Sequence, residues 1–130
     1  MGANLDLIRA TYEGSSSEEN GRNLLAALAP DAAWTEAEGF PYGGTYVGPD
    51  AILQNVFAKL GSEWNGYAAV PHELIANADT VVALGNYSGT YKATGKSFKA
   101  PFVHVWKFDA GRVVSFVQHT DTAVVQRALQ

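Results

Sequence analysis

The sequence predicts an α+β domain in which a cone-shaped, curved antiparallel sheet wraps around N-terminal helices and encloses an apolar pocket. Apolar residues at helical spacing lie mostly in the first half of the chain, and long alternating segments with short turns fill the second half. Helices gathered on one face of an antiparallel sheet define the α+β class. A sheet that curls around them makes a concave apolar site lined by alternate strand residues.

Two helices are expected at the N-terminus. The apolar residues that mark the first, at helical spacing, are Leu5, Ile8 and Tyr12. Ser16 and Glu19 are spaced as a capping box that begins the second helix, and Pro30 is expected to end it. The apolar residues of the second helix are Leu24, Leu25 and Leu28.

A strand and a third helix follow. The strand is predicted over 32–38, and one of its faces carries Ala32, Trp34, Glu36 and Glu38. After a loop over 39–45, Pro49 suits the first position of the third helix, and Gly61 suits the position just after its end. The apolar stripe of this helix consists of Ile52, Leu53, Val56, Phe57 and Leu60.

The rest of the chain is predicted to be mostly strand. The expected strands are 66–77, 79–92, 97–108 and 112–120. Asp121 suits the N-cap of a final short helix. We find no composition shift or linker that would divide residues 1–130, so one domain is expected.

Composition narrows the class of protein. The formal charge is −4 with nine scattered Lys and Arg, so the continuous basic face of a nucleic-acid binder is missing. No basic-then-apolar leader or long apolar run is present, so we expect neither secretion nor a membrane span. There is no cysteine, which excludes disulfides and thiolate chemistry and suits a reducing compartment. A cytoplasmic location is therefore expected.

Three segments together resemble a known family: 42–52 at the start of the third helix, 103–113 at the penultimate hairpin, and 118–122 at the end of the last strand. The chain resembles the SnoaL-like and ketosteroid isomerase-like proteins of the nuclear transport factor 2-like superfamily. The resemblance implies their cone-shaped fold over nearly the whole chain and, commonly, a homodimer. It implies no single activity, because this fold carries isomerases, cyclases, dehydratases, epoxide hydrolases and binding modules.

The resemblance to ketosteroid isomerases also implies roles for three residues. Glu36 would stand at the position of the catalytic base, and Tyr12 and His104 at the positions of the two oxyanion donors. Two of these positions differ in residue type, with Glu and His where the isomerases have Asp. SnoaL-like cyclases pair a histidine with an aspartate fourteen residues later, and here that residue is Gln118, which cannot take a proton at neutral pH.

The same residues support acid–base chemistry on physical grounds. A glutamate among aromatic residues loses hydration, so its pKa rises toward neutrality and it becomes a useful general base. Two donors at a carbonyl oxygen would stabilise the enolate. The alternatives remain open: Glu36 on the solvent face of its strand, His104 as a core histidine bonded to a backbone carbonyl, and Tyr12 as a residue that closes the first helix against the core.

Residues on the predicted inner faces and in the 39–45 loop are expected to contact a small apolar or cyclic ligand. They are Trp34, Phe40, Tyr42, Phe57, Phe102, Trp106, Phe116, Gln118 and Thr120. Phe40 and Tyr42 are expected at the pocket mouth, because loops of this kind carry function. Asp121 is expected to cap the last helix and to point away from Gln118.

No metal or cofactor is expected. The three histidines show no short ligand spacing, the paired glycines at 43–44 lack a phosphate-loop context, and no nucleophile elbow is present. We therefore expect an enzyme that performs cofactor-independent acid–base chemistry, as an isomerase, cyclase or dehydratase does, on an apolar carbonyl-bearing or cyclic substrate. The alternative is a non-catalytic module that binds a ligand in the same cavity or a protein partner on the outer sheet face.

A homodimer is expected through the outer face of the sheet. Residues predicted to point outward there are Val103, Val105, Lys107, Val113, Ser115 and Val117. Such a face is more apolar than a monomer normally exposes, which favours a twofold interface.

Overall fold

The computed structural model of the protein describes residues 2–130. The helices are α1 (Gly2–Tyr12), α2 (Ser17–Ala27), α3 (Pro49–Ile52), α4 (Ala58–Glu63) and α5 (Thr122–Leu129). The Ser16 hydroxyl accepts the Glu19 backbone N–H at 3.1 Å, which confirms the predicted start of α2. Within residues 2–130, no helix has both the length and the apolar character needed to cross a membrane.

The third helical segment is interrupted in its middle. A π-helical turn, Leu53–Phe57, joins α3 to α4, and Pro49 lies at the first helical position as predicted. The prediction that Gly61 follows the helix end is wrong, because α4 continues to Glu63. The helix ends where Trp64, only 2% exposed, takes an extended conformation and enters the core at the start of the next strand.

Six strands form one curved, open sheet. They are β1 (Leu28–Glu36), β2 (Gly44–Val47), β3 (Trp64–Asn77), β4 (Thr80–Tyr91), β5 (Ser97–Asp109) and β6 (Arg112–Thr120). Their order across the sheet is β2-β1-β6-β5-β4-β3. All neighbouring pairs are antiparallel except β1 and β6, which run parallel, and short turns join the four strands from β3 to β6. The α+β fold class is confirmed.

The first strand differs from its prediction at both ends. It begins at Leu28, because Leu28 pairs with Val113 of β6, and it contains Pro30, which was expected to stop a helix. The β1–β6 register shifts between Leu28 and Ala33, so the missing N–H of Pro30 falls where regular pairing is interrupted. Glu38 lies beyond the strand and is exposed, whereas the predicted inward face of Ala32, Trp34 and Glu36 is buried.

Two groups of buried apolar side chains fill the interior. The first joins α1 and α2 to the sheet and is represented by Ile8, Leu24, Trp34, Val56, Trp106 and Phe116. The second lies against α5 and the 39–43 loop and is represented by Phe40, Tyr42, Trp64, Tyr87, Phe102 and Val125. Buried polar residues outside both groups include Glu36, His104 and Gln118. These polar side chains nevertheless contact both groups: the Trp34 indole donates to Glu36, and the His104 ring stacks on Phe102 with centroids 4.1 Å apart.

The outer sheet face carries a row of aligned apolar residues. Ile75, Val82, Val105 and Val117 are cross-strand neighbours on β3, β4, β5 and β6. Val82, Val105 and Val117 alternate with buried residues, and Ile75 is 47% exposed, so all four point outward. The prediction that Val113 joins this face is wrong: Val113 is fully buried, because an irregularity in the β5–β6 register pairs it with Phe108.

Candidate functional site

A cavity of about 530 Å³ lies between the helices and the inner sheet face. Its polar or aromatic walls include Tyr12, Trp34, Glu36, Tyr67, Tyr87, His104, Trp106, Phe116 and Gln118. Small residues from three elements also border it, among them Gly21, Gly61 and Gly66. A Cβ atom added to any of these three glycines would meet nothing within 4 Å, so this part of the wall is open.

Glu36 is the buried acid of the cavity. Alternation along β1 turns it inward, and its side chain is 4% exposed, so the solvent-facing alternative is wrong. The Trp34 indole N–H donates to Glu36 Oε2 at 3.3 Å. In residues 2–130 every fully buried side-chain nitrogen or oxygen has a partner, so Oε1, which has none, is not fully buried, and Glu36 is among the residues that line the cavity. Burial raises the pKa of Glu36 to about 8, partly opposed by the Trp34 hydrogen bond.

His104 joins two tyrosines across the cavity. Its Nδ1 lies 2.5 Å from the Tyr12 hydroxyl oxygen, and its Nε2 is hydrogen-bonded to the Tyr87 hydroxyl. The backbone-bonded alternative for His104 is therefore wrong. Burial lowers the pKa of His104 to about 3, with a smaller contribution from the charge of His119, so the ring is neutral at physiological pH.

Each of the two tyrosine oxygens also accepts a hydrogen bond from a neighbouring side chain. The Trp106 indole N–H donates to the Tyr12 oxygen at 3.1 Å, and the Gln118 amide donates to the Tyr87 oxygen at 2.8 Å. The other end of Gln118 accepts the backbone N–H of Ala37 at 2.9 Å. That backbone donor fixes the orientation of the amide, because only the amide oxygen can accept it. Burial raises the pKa of both tyrosines, so both hydroxyls are protonated.

Two cavity tyrosines, Tyr67 and Tyr87, were missed at the sequence level. A signal existed for Tyr87, which shares the parity of the inward residues Val81 and Ala83 on β4. The sequence could not pair it with His104, because alternation fixes the face of a residue but not the residues beside it.

Tyr67 reaches the cavity through an irregularity in β3. The β3–β4 register shifts between Asn65 and Ala68, and Gly66 takes the left-handed conformation with φ 63°. Such a bulge redirects the next side chain, and glycine adopts this φ without strain. The Tyr67 hydroxyl makes no hydrogen bond within residues 2–130, and burial together with the charge of Glu36 raises its pKa.

The structure brings the three candidate catalytic residues to one cavity. Glu36, Tyr12 and His104 all line it. Five of the expected ligand contacts line it too: Trp34, Phe57, Trp106, Phe116 and Gln118.

Four other expected contacts do not line the cavity, and this corrects the prediction. Phe40 and Tyr42 are 4% and 5% exposed, because the 39–43 loop folds inward through a Gly43 N–H to Phe40 carbonyl hydrogen bond. Phe102 packs beneath the rings of Tyr87 and His104, with centroids 4.6 and 4.1 Å away. The Thr120 hydroxyl donates to the Pro101 carbonyl at 2.8 Å.

Two further expectations concern groups outside the cavity. Asp121 accepts the Val124 backbone N–H at 3.3 Å, which confirms that it caps α5. Among residues 2–130, no three histidine or acidic side chains are grouped as metal ligands would be.

The polar groups that face this cavity are suited to proton transfer. The carboxyl group of Glu36 has a pKa near physiological pH, so it can accept or donate a proton. The neutral hydroxyls of Tyr12, Tyr67 and Tyr87 can donate hydrogen bonds to a ligand oxygen. Stacked aromatic rings such as Trp34 and Phe116, with centroids 3.7 Å apart, supply an apolar wall.

Comparison with known proteins shows the family. The profile described as a SnoaL-like domain matches residues 8–116. No curated protein matches the sequence. An NTF2-like protein from Burkholderia thailandensis is 43% identical in sequence, with a TM-score of 0.91, and the alignment covers 98% of this chain and 97% of that one.

Two further solved structures are similar over their whole length. An NTF2-like protein of unknown function from Burkholderia pseudomallei is 33% identical, with a TM-score of 0.89, and 100% and 99% of the two chains are covered. TerC, co-crystallized with polyporic acid, is 26% identical, with a TM-score of 0.85 and 98% of each chain covered. The resemblance inferred from sequence motifs is confirmed, and this chain belongs to the SnoaL-like family.

Proposed function

We propose that this protein is a cofactor-independent acid–base enzyme that moves a proton on an apolar, carbonyl-bearing or cyclic small molecule. The proposal rests on Glu36, a buried carboxyl group that lines the cavity, has one oxygen without a hydrogen-bond partner, and has a pKa raised to about 8 by burial. A carboxylate needed only for the fold would be stabilised by several donors, and Glu36 has one. Its pKa lets it accept a proton from a carbon acid near neutral pH.

The rest of the cavity suits a ketone or an enol. Removal of a proton beside a carbonyl places negative charge on the carbonyl oxygen, and hydroxyl donors in an apolar setting stabilise that charge. Tyr12, supported by His104, is the proposed oxyanion donor. Gln118 stands where the resemblance to SnoaL-like cyclases would place an aspartate. It hydrogen-bonds to the Ala37 backbone and to Tyr87, so we assign it the role of positioning Tyr87.

The test uses 2-tetralone, a bicyclic ketone with acidic C–H bonds beside its carbonyl. Exchange of those hydrogens for deuterium in D₂O is followed by proton NMR with and without the protein. We expect the wild-type protein to accelerate exchange, and the rate to rise with pH toward about 8 as Glu36 ionises.

The matched variants are Glu36→Gln and Glu38→Gln, which make the same chemical change at a buried and an exposed position of neighbouring sequence. We expect Glu36→Gln to abolish the acceleration and Glu38→Gln to keep it. Equal rates in wild type and Glu36→Gln would contradict the general-base role. Binding of 2-tetralone or polyporic acid without exchange would support the alternative, a non-catalytic ligand-binding module.

We also propose a homodimer through the outer sheet face and a cytoplasmic location. The aligned row of Ile75, Val82, Val105 and Val117 supports the dimer, because it contains no charge and crosses four strands. Light scattering at tens of micromolar should give twice the 13.9 kDa chain mass, and Val105→Glu should reduce it. A monomeric wild-type mass would contradict the dimer. The absence of cysteine supports a reducing compartment.

A further inference from the structure

The chain of hydrogen bonds through His104 has a fixed number of protons. Tyr12 and Tyr87 each contribute one hydroxyl proton, and the neutral imidazole of His104 contributes one N–H. This hydrogen-bond chain contains two bonds, one at each ring nitrogen of His104, and each bond uses one proton. Three protons therefore serve two bonds, and one hydroxyl proton is left over.

The side chains next to the hydrogen-bond chain cannot accept the remaining proton. Trp106 presents an indole N–H to Tyr12, and Gln118 presents its amide nitrogen to Tyr87. Both are donors, so neither accepts a hydroxyl proton. Because the backbone N–H of Ala37 holds the Gln118 oxygen, the amide cannot turn to offer an acceptor. The remaining proton must point into the cavity, which both tyrosines line.

The position of this proton depends on the imidazole. With the proton on Nδ1, His104 donates to Tyr12, Tyr87 donates to Nε2, and the hydroxyl of Tyr12 is free. With the proton on Nε2, His104 donates to Tyr87, Tyr12 donates to Nδ1, and the hydroxyl of Tyr87 is free. Both arrangements form both hydrogen bonds to His104 and differ only in which hydroxyl proton is free.

We propose that Tyr12 and Tyr87 are alternative donors of one hydroxyl proton to a ligand oxygen, and that the tautomer of His104 decides which tyrosine donates. The hydrogen-bond chain then donates one hydrogen bond to an acceptor oxygen, as in a ketone or an enolate, at either of two positions in the cavity. This inference deepens the proposed function, on which the catalytic use of the donor rests. The Tyr67 hydroxyl is not part of this hydrogen-bond chain and supplies a separate proton at the cavity.

The first test measures the tautomer directly. His72 and His119 are both exposed, so His72→Gln/His119→Gln gives a folded background with His104 as its single histidine. Long-range proton–nitrogen correlation NMR of this protein, labelled with ¹⁵N, shows which ring nitrogen carries the proton. Glu36 is intact throughout, so this result is independent of the deuterium-exchange test, in which equal rates for wild type and Glu36→Gln would contradict the proposed function.

Tyr12→Phe and Tyr87→Phe are expected to select opposite tautomers. Tyr87→Phe removes the partner of Nε2, and a buried nitrogen lone pair without a donor is tolerated better than a buried N–H without an acceptor. The proton should therefore lie on Nδ1 in Tyr87→Phe and on Nε2 in Tyr12→Phe. The same protonated nitrogen in both variants, or a doubly protonated ring at neutral pH, would overturn the proposal.

Ligand binding gives a second measurement that does not require both variants to fold. In the single-histidine background, saturating 2-tetralone should change the tautomer ratio, whereas tetralin, the matched hydrocarbon without oxygen, should leave it unchanged. Each single Phe variant keeps one free hydroxyl, so its Kd for 2-tetralone should stay within about tenfold of the parent, and the double variant should lose at least about another tenfold. If Tyr12→Phe alone weakened binding as much as the double variant, Tyr12 would be a fixed donor and the proposal would fail.

Discussion

Two hydrogen-bond networks in this protein begin in the same way and end differently. In one, the Trp64 indole N–H donates to the Tyr42 oxygen at 3.1 Å, and the Tyr42 hydroxyl donates to Glu63. In the other, the Trp106 indole N–H donates to the Tyr12 oxygen at the same distance of 3.1 Å. The first network reaches a carboxylate, and the second reaches an imidazole.

The difference lies in what the last group can do with a proton. An ionised carboxylate only accepts, so the single hydroxyl proton of Tyr42 is used within its network. The neutral ring of His104 both donates and accepts, so it joins two tyrosines and leaves one hydroxyl proton free. A closed network of the first kind serves stability, whereas an open network of the second kind can serve a ligand.

The largest expected effect comes from breaking the closed network. Tyr42→Ala removes a ring that is 5% exposed and packs near Phe40 and Trp64, so we expect the free energy of unfolding to fall by about 3–5 kcal/mol. Urea unfolding measures the loss, and binding of 2-tetralone by the folded variant should be unchanged. A loss below about 1 kcal/mol would return Tyr42 to the pocket mouth, where the sequence placed it.

The second effect is a difference in the pH dependence of stability between two acids, the buried Glu36 and the half-buried Glu63. The folded pKa of Glu36, about 8, exceeds the value near 4.3 expected when unfolded, so between these pH values the folded chain keeps a proton that the unfolded chain loses. The stability of wild type should therefore fall, relative to Glu36→Gln, as pH rises through this window. From about pH 4.5 to pH 7 the relative loss should be about 3 kcal/mol.

Glu63→Gln is the matched control for this pH experiment. Glu63 accepts the Tyr42 hydroxyl, so the substitution replaces a charge-assisted hydrogen bond with a neutral one. We expect it to lower stability at pH 7 by about 1 kcal/mol, opposite in sign to Glu36→Gln. Parallel stability curves for wild type and Glu36→Gln, measured by urea unfolding across pH, would contradict a buried protonated Glu36.

The smallest effects come from deleting one hydroxyl in each network. Tyr42→Phe leaves Glu63 without its donor, so unfolding free energy should fall by about 1–3 kcal/mol while the Kd for 2-tetralone is unchanged. Tyr12→Phe leaves the His104 ring able to adjust its tautomer, so the loss should be about 1 kcal/mol, with a rise in Kd of no more than about tenfold. Equal stability losses and equal Kd values in the two variants would erase the distinction between the networks.

Much of the fold followed from local patterns. The capping of α2 by Ser16, the cap of α5 by Asp121 and the four long strands were all predictable, because caps, alternation and turn residues act over a few positions. The inward direction of Glu36 and His104 was predictable from alternation as well. The edge strand β2 was not predicted, since its four residues, three of them exposed, carry no strong pattern.

The sequence by itself determined the fold class, the family motifs and the inner faces on which Glu36 and His104 stand. Only the tertiary structure decided the parallel pairing of β1 with β6, the burial of Tyr42, and the place of Tyr87 beside His104. Alternation fixes which face of a strand a side chain occupies, but its neighbours depend on strand order and register. Those are set by contacts between residues far apart in the chain, as between Tyr12 and His104, which no local pattern encodes.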